Sequence, residues 1–518
     1  MSLSVKQKAV TLMLSLLLVA SANAGQAPGL ASVPDIPISS QDRVYLSDQT
    51  SNTVSVVDPA TEKLLGVIRL GDPTPGNLSP LYKGQLLVHG MGFSPNHSTL
   101  AVVSVGSNSV AFIDTATNRV KHIAYVGRAP HEAFFTPDGK EVWITVRGED
   151  FVQVLDGKTY QPTLRIQVPN GPGMTIFSPN GEYGYVCSSF TPETVVIDTK
   201  THQIVGRVKQ ASPFCPDIAA TPDGKQVWFT LKDIGKTQVF QAKPPFATIT
   251  VLDTGPITNH VNFARNANGQ LAYVTVGGLN EVKVFTTSDQ PELVATILTG
   301  ELPHGLWPSG DGTRIYVGLE NANAVTALDT RTNKVVDTVN TGQSPQGMVY
   351  IPNAVPIGDG TENLSSIGTS GDAVHLTLVS VENGKPQTTV AVNNQGLIDL
   401  LEAAVTGLEA KKPYLLALVN NADGSGLLEP VAKFMTNPAG AAIVVTVGPL
   451  RRVVQSNADN QRRFLVIVPL NEDKPGVPVQ VQRCIQMSFL SDRANGITSS
   501  ISRSLLTQQL MTCVINRT

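Results

Sequence analysis

The chain has 518 residues, more than one hydrophobic core of ordinary domain size organises, so two folded units are expected. A net charge of −3 with 15% charged residues leaves no basic stripe to neutralise a phosphate backbone, which argues against nucleic acid as a partner. None of the four cysteines forms a CxxC pair, so c-type haem attachment and a thioredoxin-like site both lack their geometry, while disulfides remain open.

Lys6 and Lys8, an apolar run from Ala9 to Ala20 and the small-residue site Ala22-Asn23-Ala24 read as a signal peptide over 1–24, with the mature chain starting at Gly25. No Cys follows the cleavage point to carry a lipid, and no later stretch supplies the ~18 uninterrupted apolar residues of a membrane helix. The expectation is a periplasmic or secreted cell-surface protein with no transmembrane segment in its mature chain.

From residue 40 to 353 the chain repeats. Turns such as Phe135-Thr136-Pro137-Asp138-Gly139 and Ala220-Thr221-Pro222-Asp223-Gly224 are followed by aromatic and β-branched runs, among them Val142-Trp143-Ile144-Thr145-Val146 and Val227-Trp228-Phe229-Thr230. A further strand ends in an acidic turn, as in Val110-Ala111-Phe112-Ile113-Asp114, and a fourth closes the unit. The anchors Pro95, Pro137, Pro179, Pro222, Ala267, Gly310 and Pro352 lie 42, 42, 43, 45, 43 and 42 residues apart, room for four strands and four tight turns, which is one propeller blade. Val44-Tyr45-Leu46-Ser47 begins where other units already have their second strand, and Gly347-Met348-Val349-Tyr350 is an inner strand with nothing after it. Joining the two predicts seven blades and hides both unpaired edges. The Asp138-Gly139, Asn180-Gly181 and Asp223-Gly224 pairs are hairpin turn signals rather than calcium ligands.

Tyr273-Val274-Thr275, Ser51-Asn52-Thr53-Val54-Ser55-Val56-Val57-Asp58 and Asp329-Thr330-Arg331-Thr332-Asn333-Lys334-Val335-Val336 carry a resemblance. Over roughly residues 40 to 353 the chain is similar to YVTN-family β-propeller repeat proteins. The resemblance implies an exported seven-bladed propeller, similar in architecture to haem d1 nitrite reductase and lactonase propellers. It leaves the function open, because this architecture hosts unrelated chemistries.

Residues just before each innermost strand of a radial propeller converge on one rim of its channel. Counting six or seven residues back from each anchor gives His89, His131, Gly173, the Pro216-Asp217 pair, His260, His304 and Gln346, so four of the eight histidines share one register. This ring, with Glu132, is the candidate ligand site, since imidazoles supply neutral metal ligands and carboxylates supply an oxygen ligand or a base. The competing reading is that a repeat copies a histidine that merely bonds a neighbouring blade's backbone. Lactone hydrolysis would draw on His131, Glu132 and Arg147. Haem d1 would need a c-type haem module that the chain lacks, and a nitrous-oxide-reductase-type copper site would need more histidines and a cupredoxin domain. Cys187 and Cys215 fall toward one rim on adjacent blades, where a structural disulfide and two free thiols are both open.

Residues 354–372 shift to Gly, Ser, Thr and Asn and read as a linker. Alternating runs at Val374–Val381, Thr388–Val392, Tyr414–Val419, Pro430–Met435, Ala441–Val447 and Phe464–Leu470 predict a small antiparallel β-sandwich over 373–482, immunoglobulin-like in rhythm. Gly396–Leu408 suits helix or strand, with strand favoured. The sandwich carries only His375, so contact with a partner or with the propeller is its default role. The tail 483–518 holds Ile501, Leu505, Leu506 and Leu510 at helical spacing, a short docking helix that Cys484 and Cys513 are placed to tie down.

The fold expected is therefore all-β: a seven-bladed propeller, a small antiparallel sandwich and a short C-terminal helix. The leading function is a binding or scaffold protein holding a small molecule, polysaccharide or protein at the propeller face. The alternative is an enzyme or redox-accessory protein acting at the histidine-rich mouth, and a third class is a self-associating surface protein. No cofactor is required by the sequence, a metal ion at the mouth is the one left open, and no catalytic residue is assigned.

Overall fold

Apolar residues crowd both faces of the strands that lie nearest the axis. The strands Pro130–Phe135, Pro172–Phe177 and Pro303–Pro308 are buried at every residue, whereas the rim strands Pro162–Gln167 and Leu293–Leu298 bury one residue each. Near the axis both faces meet neighbouring blades, and at the rim one face meets water, so hydrophobicity falls outward along each blade. The computed structural model describes residues 37–71, 86–266, 269–396, 398–455 and 462–483, and in it these strands form seven four-stranded antiparallel sheets plus one nine-stranded sheet. The signal peptide at 1–24, the Ala267 anchor and the tail from 484 onward, with Cys484, Cys513 and the expected helix, lie outside the described residues.

The ring closes as the sequence predicts. Pro345–Ile351 is the innermost strand of the first blade, followed outward by Arg43–Asp48, Thr53–Asp58 and Lys63–Arg69, with Val44 opposite Tyr350. Tyr350 donates to the Asp42 carboxyl, which also accepts the Asn353 N–H at 2.7 Å, so the two ends are joined by side chains as well as by the ladder. Gly139, Gly181 and Gly224 hold φ of 70°, 72° and 64°, and the Asp138 Oδ1 accepts from Thr136 Oγ1 and the Lys140 N–H, which spends that carboxylate on its own turn.

Residues 373–482 form the antiparallel second unit. Its strands run in the order Glu429–Met435, Pro413–Val419, Phe464–Asn471, Gln480–Gln482, Ala373–Ser380, Pro386–Asn394, Asp399–Val405 and Ala442–Gly448, with Lys474–Pro475 paired to Phe464–Asn471. All lie in a single sheet that curls until it nearly closes, which gives the sandwich-like unit expected. Alternation reveals which residues are strands but not which strands pair, so this arrangement is a tertiary outcome. The Gly396–Leu408 segment carries the strand Asp399–Val405, and the short helix Leu450–Gln455, unforeseen in the sequence, buries Leu450 and Val454 in the sheet's core. The linker packs on the propeller: Ser365 bridges Val67, and Asn118 Nδ2 donates to the carbonyls of Gly360 and Glu362.

The second strand of most blades carries an aromatic residue whose polar end reaches the next blade. Tyr45 donates to the Thr115 carbonyl at 3.2 Å, Tyr185 to that of Ala242, and Tyr316 to that of Pro59 at 3.4 Å. Trp228 bonds Gln226, whose amide donates to the Ser288 carbonyl of the following blade. These wedges explain the recurring aromatic position: the ring fills the gap between two diverging sheets and the heteroatom satisfies a buried carbonyl. Removing only the hydroxyl with Tyr45→Phe should lower stability by about 1 kcal/mol, and Tyr45→Ala by on the order of 3–5 kcal/mol, both read from urea unfolding. Equal losses in the two variants would show that the ring, not the inter-blade bond, carries nothing at this position.

Candidate functional site

Each innermost strand breaks its ladder at the same place. Pairing with the second strand shifts between Val88 and Met91, Pro130 and Ala133, Pro172 and Met174, Thr258 and Val261, and Pro303 and Leu306. The residues skipped are His89, His131 with Glu132, Gly173, His260 and His304. In the first blade the skipped pair includes Gln346, and in the fifth the inner strand starts at Ile218, leaving Asp217 just outside it. A bulge releases side chains from the sheet's alternation and re-aims them, here toward the axis. The glycine after several of these residues is sterically required: a Cβ on Gly90 would lie 2.1 Å from the His131 carbonyl oxygen and 2.2 Å from Glu132 Oε2.

The four imidazoles meet. His89 Nε2 lies 2.9 Å from His131 Nε2, the His89 and His131 ring centres are 4.3 Å apart, those of His260 and His304 4.7 Å, and those of His89 and His304 6.3 Å. Gln49 Nε2 donates to His89 Nδ1 at 3.0 Å, which places the His89 proton on Nε2, facing His131 Nε2 as acceptor. The His131 proton then sits on Nδ1, an atom with no hydrogen-bond partner, 3.7 Å from Glu132 Oε1. His304 bonds the Gln346 carbonyl through Nδ1 at 2.9 Å and turns Nε2 toward Glu320, 3.9 Å away; His260 Nδ1 faces Asp217 at 3.6 Å.

Beneath this ring the channel is plugged by Met91, Phe134, Met174, Ile218, Trp307 and Met348, which together with Glu132, Asp217 and His260 leave a void of about 20 Å³. Above it opens a cavity of about 500 Å³ whose floor is the four histidines and Gln346. Arg147, Phe214, Lys232, Asp233 and Glu320 form the wall, and Glu402, Met435, Ile443 and Val445 of the C-terminal sheet form the roof. The sheet is seated by amides: Asn321 donates to Thr389, Asn323 to Asn393 Oδ1 at 2.9 Å, and Gln395 to Gln343 at 2.9 Å. A disulfide joins Cys187 to Cys215 and holds the segment that carries Phe214, Pro216 and Asp217 at the mouth.

Thus five of the expected residues (His89, His131, His260, His304 and Gln346) line one cavity, while Glu132 and Asp217 lie a layer deeper. Gln49, Lys232 and Glu320 were not singled out in the sequence. A second register would have found them: like Arg147, each is the first residue after a second strand, following Arg43–Asp48, Gln226–Leu231, Arg314–Leu319 and Glu141–Val146. Glu402 has no such signal, because it arrives from the other unit.

Burial governs the protonation states. It pushes His89 and His260 down to about 3 and His131 and His304 well below the usual range, while it raises Asp217 to about 7 and Glu132, beside Asp217, well above a normal carboxyl. The His131–Glu132 and His260–Asp217 contacts therefore pair neutral groups below pH 7. Burial and the neighbouring Glu320 carboxyl raise Glu402, and burial lowers Lys232.

An unfolded imidazole gains its proton near pH 6.5, whereas His89 and His260 gain theirs near 3, so across that window the unfolded chain binds more protons and their contribution to stability falls as pH falls. Asp217 works oppositely, since the folded chain keeps a proton that the unfolded one releases between about 4 and 7. Imidazole nitrogen shifts recorded at pH 5 and pH 8 should show His89 and His260 neutral at both values, and titration of either ring inside that interval would contradict the burial.

The family model that matches the chain names the same architecture. Residues 107–351 match the family model described as "Lactonase, 7-bladed beta-propeller". No curated protein matches the chain. Among solved structures, hydrazine synthase of Kuenenia stuttgartiensis aligns at 18% identity and a TM-score of 0.46, over 62% of this chain and 96% of that one. A functionally unknown protein from Desulfotomaculum acetoxidans aligns at 14% identity and a TM-score of 0.50, over 59% and 98%. The chain is accordingly a seven-bladed β-propeller protein whose propeller is similar, over residues 107–351, to the lactonase propellers.

Proposed function

We propose that this protein is a binding propeller that encloses a small carboxylate-bearing molecule, a hydroxy acid in particular, between its histidine-lined mouth and its C-terminal sheet. The observation that carries the reading is a guanidinium with no hydrogen bond or ion pair, beside a second cation. Among the described residues the Arg147 guanidinium makes neither, while Lys232 makes neither at contact distance but faces the Glu320 and Glu402 carboxyls, and both cations line the cavity. Arg147 is held between the Phe190 and Phe214 rings, at 5.6 and 5.1 Å, and its buried Nε has no partner. An unpaired buried cation is expensive, and a carboxylate ligand would satisfy it with charge-assisted bonds. The imidazole N–H groups and amides suit hydroxyl groups, and Ile443 and Val445 suit a carbon skeleton. Export to the periplasm or beyond belongs to this proposal, and an oxidising compartment suits the Cys187–Cys215 bridge.

A second reading is hydrolysis of the corresponding lactone. It is favoured by the similarity to lactonase propellers and by His131, a neutral imidazole on the cavity floor whose Nε2 becomes a base toward water once His89 turns its proton elsewhere. Calorimetric titration with D-gluconate, beside glucose as the uncharged control and with a chelator present throughout, separates the outcomes. Binding of the acid alone, weakened about 10- to 100-fold by Arg147→Ala or Lys232→Ala, is expected. Equal binding of glucose, or binding untouched by both variants, would overturn the carboxylate reading. Turnover of glucono-δ-lactone above the spontaneous rate, lost in His131→Ala, would instead establish the hydrolase.

A further inference from the structure

We infer that His89, His131 and Glu132 form a binding site for a divalent first-row transition metal of the zinc or copper class. One ligand atom from each of the three lies within 4.8 Å of the others, and the two Nε2 atoms are only 2.9 Å apart. Two nitrogens each about 2.0–2.1 Å from one ion sit roughly 3 Å apart, so the imidazole pair already has the spacing that chelation requires to within a few tenths of an ångström. Nitrogen and carboxylate donors in this ratio suit zinc and copper rather than calcium or magnesium, which prefer all-oxygen shells.

Three further observations point the same way. First, the His131 Nδ1 is buried without a hydrogen-bond partner 3.7 Å from Glu132 Oε1, and an ionised, metal-ligating Glu132 would give that N–H the negative charge it lacks. Second, Gln49 reaches the outer nitrogen of His89 at 3.0 Å, and with its amide turned over it accepts the Nδ1–H that an imidazole ligating through Nε2 must carry. Third, Glu132 stands where three other blades carry glycine, at Gly90, Gly305 and Gly347, and its carboxyl fills the space that Gly90 leaves open. A copied structural histidine needs none of these.

Binding balances simply. The His89 proton moves from Nε2 to Nδ1, where Gln49 accepts it after an amide flip, His131 donates its lone pair as it stands, and Glu132 releases one proton to solvent. Three protein ligands are the composition of sites that keep one exchangeable ligand.

The inference does not depend on the carboxylate reading, whose anchors are Arg147 and Lys232 and whose titration is performed with chelator. The mature chain, stripped with chelator and dialysed, is titrated with Zn²⁺ and separately with Cu²⁺. One equivalent should bind with sub-micromolar affinity, weakened at least 100-fold in His89→Ala and in His131→Ala and unchanged in His202→Ala. Circular dichroism melting of each apo variant identifies any that fails to fold, in which case His131→Gln replaces it. The electron paramagnetic resonance spectrum of the Cu²⁺ form should carry hyperfine structure from two nitrogens, reduced to one in either single variant. No stoichiometric uptake, or uptake equal in wild type and both mouth variants, overturns the site.

Discussion

The pairing of Pro345–Ile351 with Arg43–Asp48 is the contact on which the rest of the molecule depends. It converts an open row of blades into a ring, and only a ring has an axis toward which seven inner strands can point. The closure is strengthened where the chain enters it: Gly342 and Gln343 donate their N–H groups to Ser55 and Ser51, and the buried Asp48 carboxyl gathers the Thr53 and Ser55 hydroxyls. Without that strand, two sheet edges and the Gln346 end of the mouth would face water.

Closure also sets the position of the second unit. Gln343 and Ser344, at the start of the closing strand, are the residues that Gln395 and Asn393 of the C-terminal sheet bond. The segment that seals the ring is therefore the one that seats the roof, and the roof is what turns a shallow rim into a cavity of about 500 Å³. Burial in turn explains the electrostatics, because a neutral imidazole and a protonated carboxyl are the forms that a desolvated site favours. Against that background Arg147, a guanidinium with no hydrogen bond or ion pair, is the exception, and the exception is where a ligand is expected.

The bulge in each inner strand trades ladder bonds for function. Continuous pairing would bury His89, His131, His260 and His304 between blades, with alternate residues on opposite faces. Skipping a residue pair in blade after blade projects one side chain per blade into a common ring. The apolar plug formed by Met91, Phe134, Trp307 and their neighbours lies just inward, where pairing resumes. The channel is thus a floor rather than a pore.

The sequence by itself determined the blade count, the closure and the convergence of four histidines, because a repeat of about 42 residues obliges equivalent positions to occupy equivalent places around an axis. It also held the second register, Gln49, Arg147, Lys232 and Glu320, in the same periodic form. The alternating runs of the C-terminal region marked its strands, and the resemblance to known propellers carried the fold but no chemistry. Only the tertiary structure decided that those strands curl into one sheet, that the sheet sits over the mouth, and that Glu402 meets Glu320 there. These are contacts between segments with no shared period, joined by burial and by side-chain amide hydrogen bonds across 49 to 70 residues, and no spacing rule along the chain encodes them.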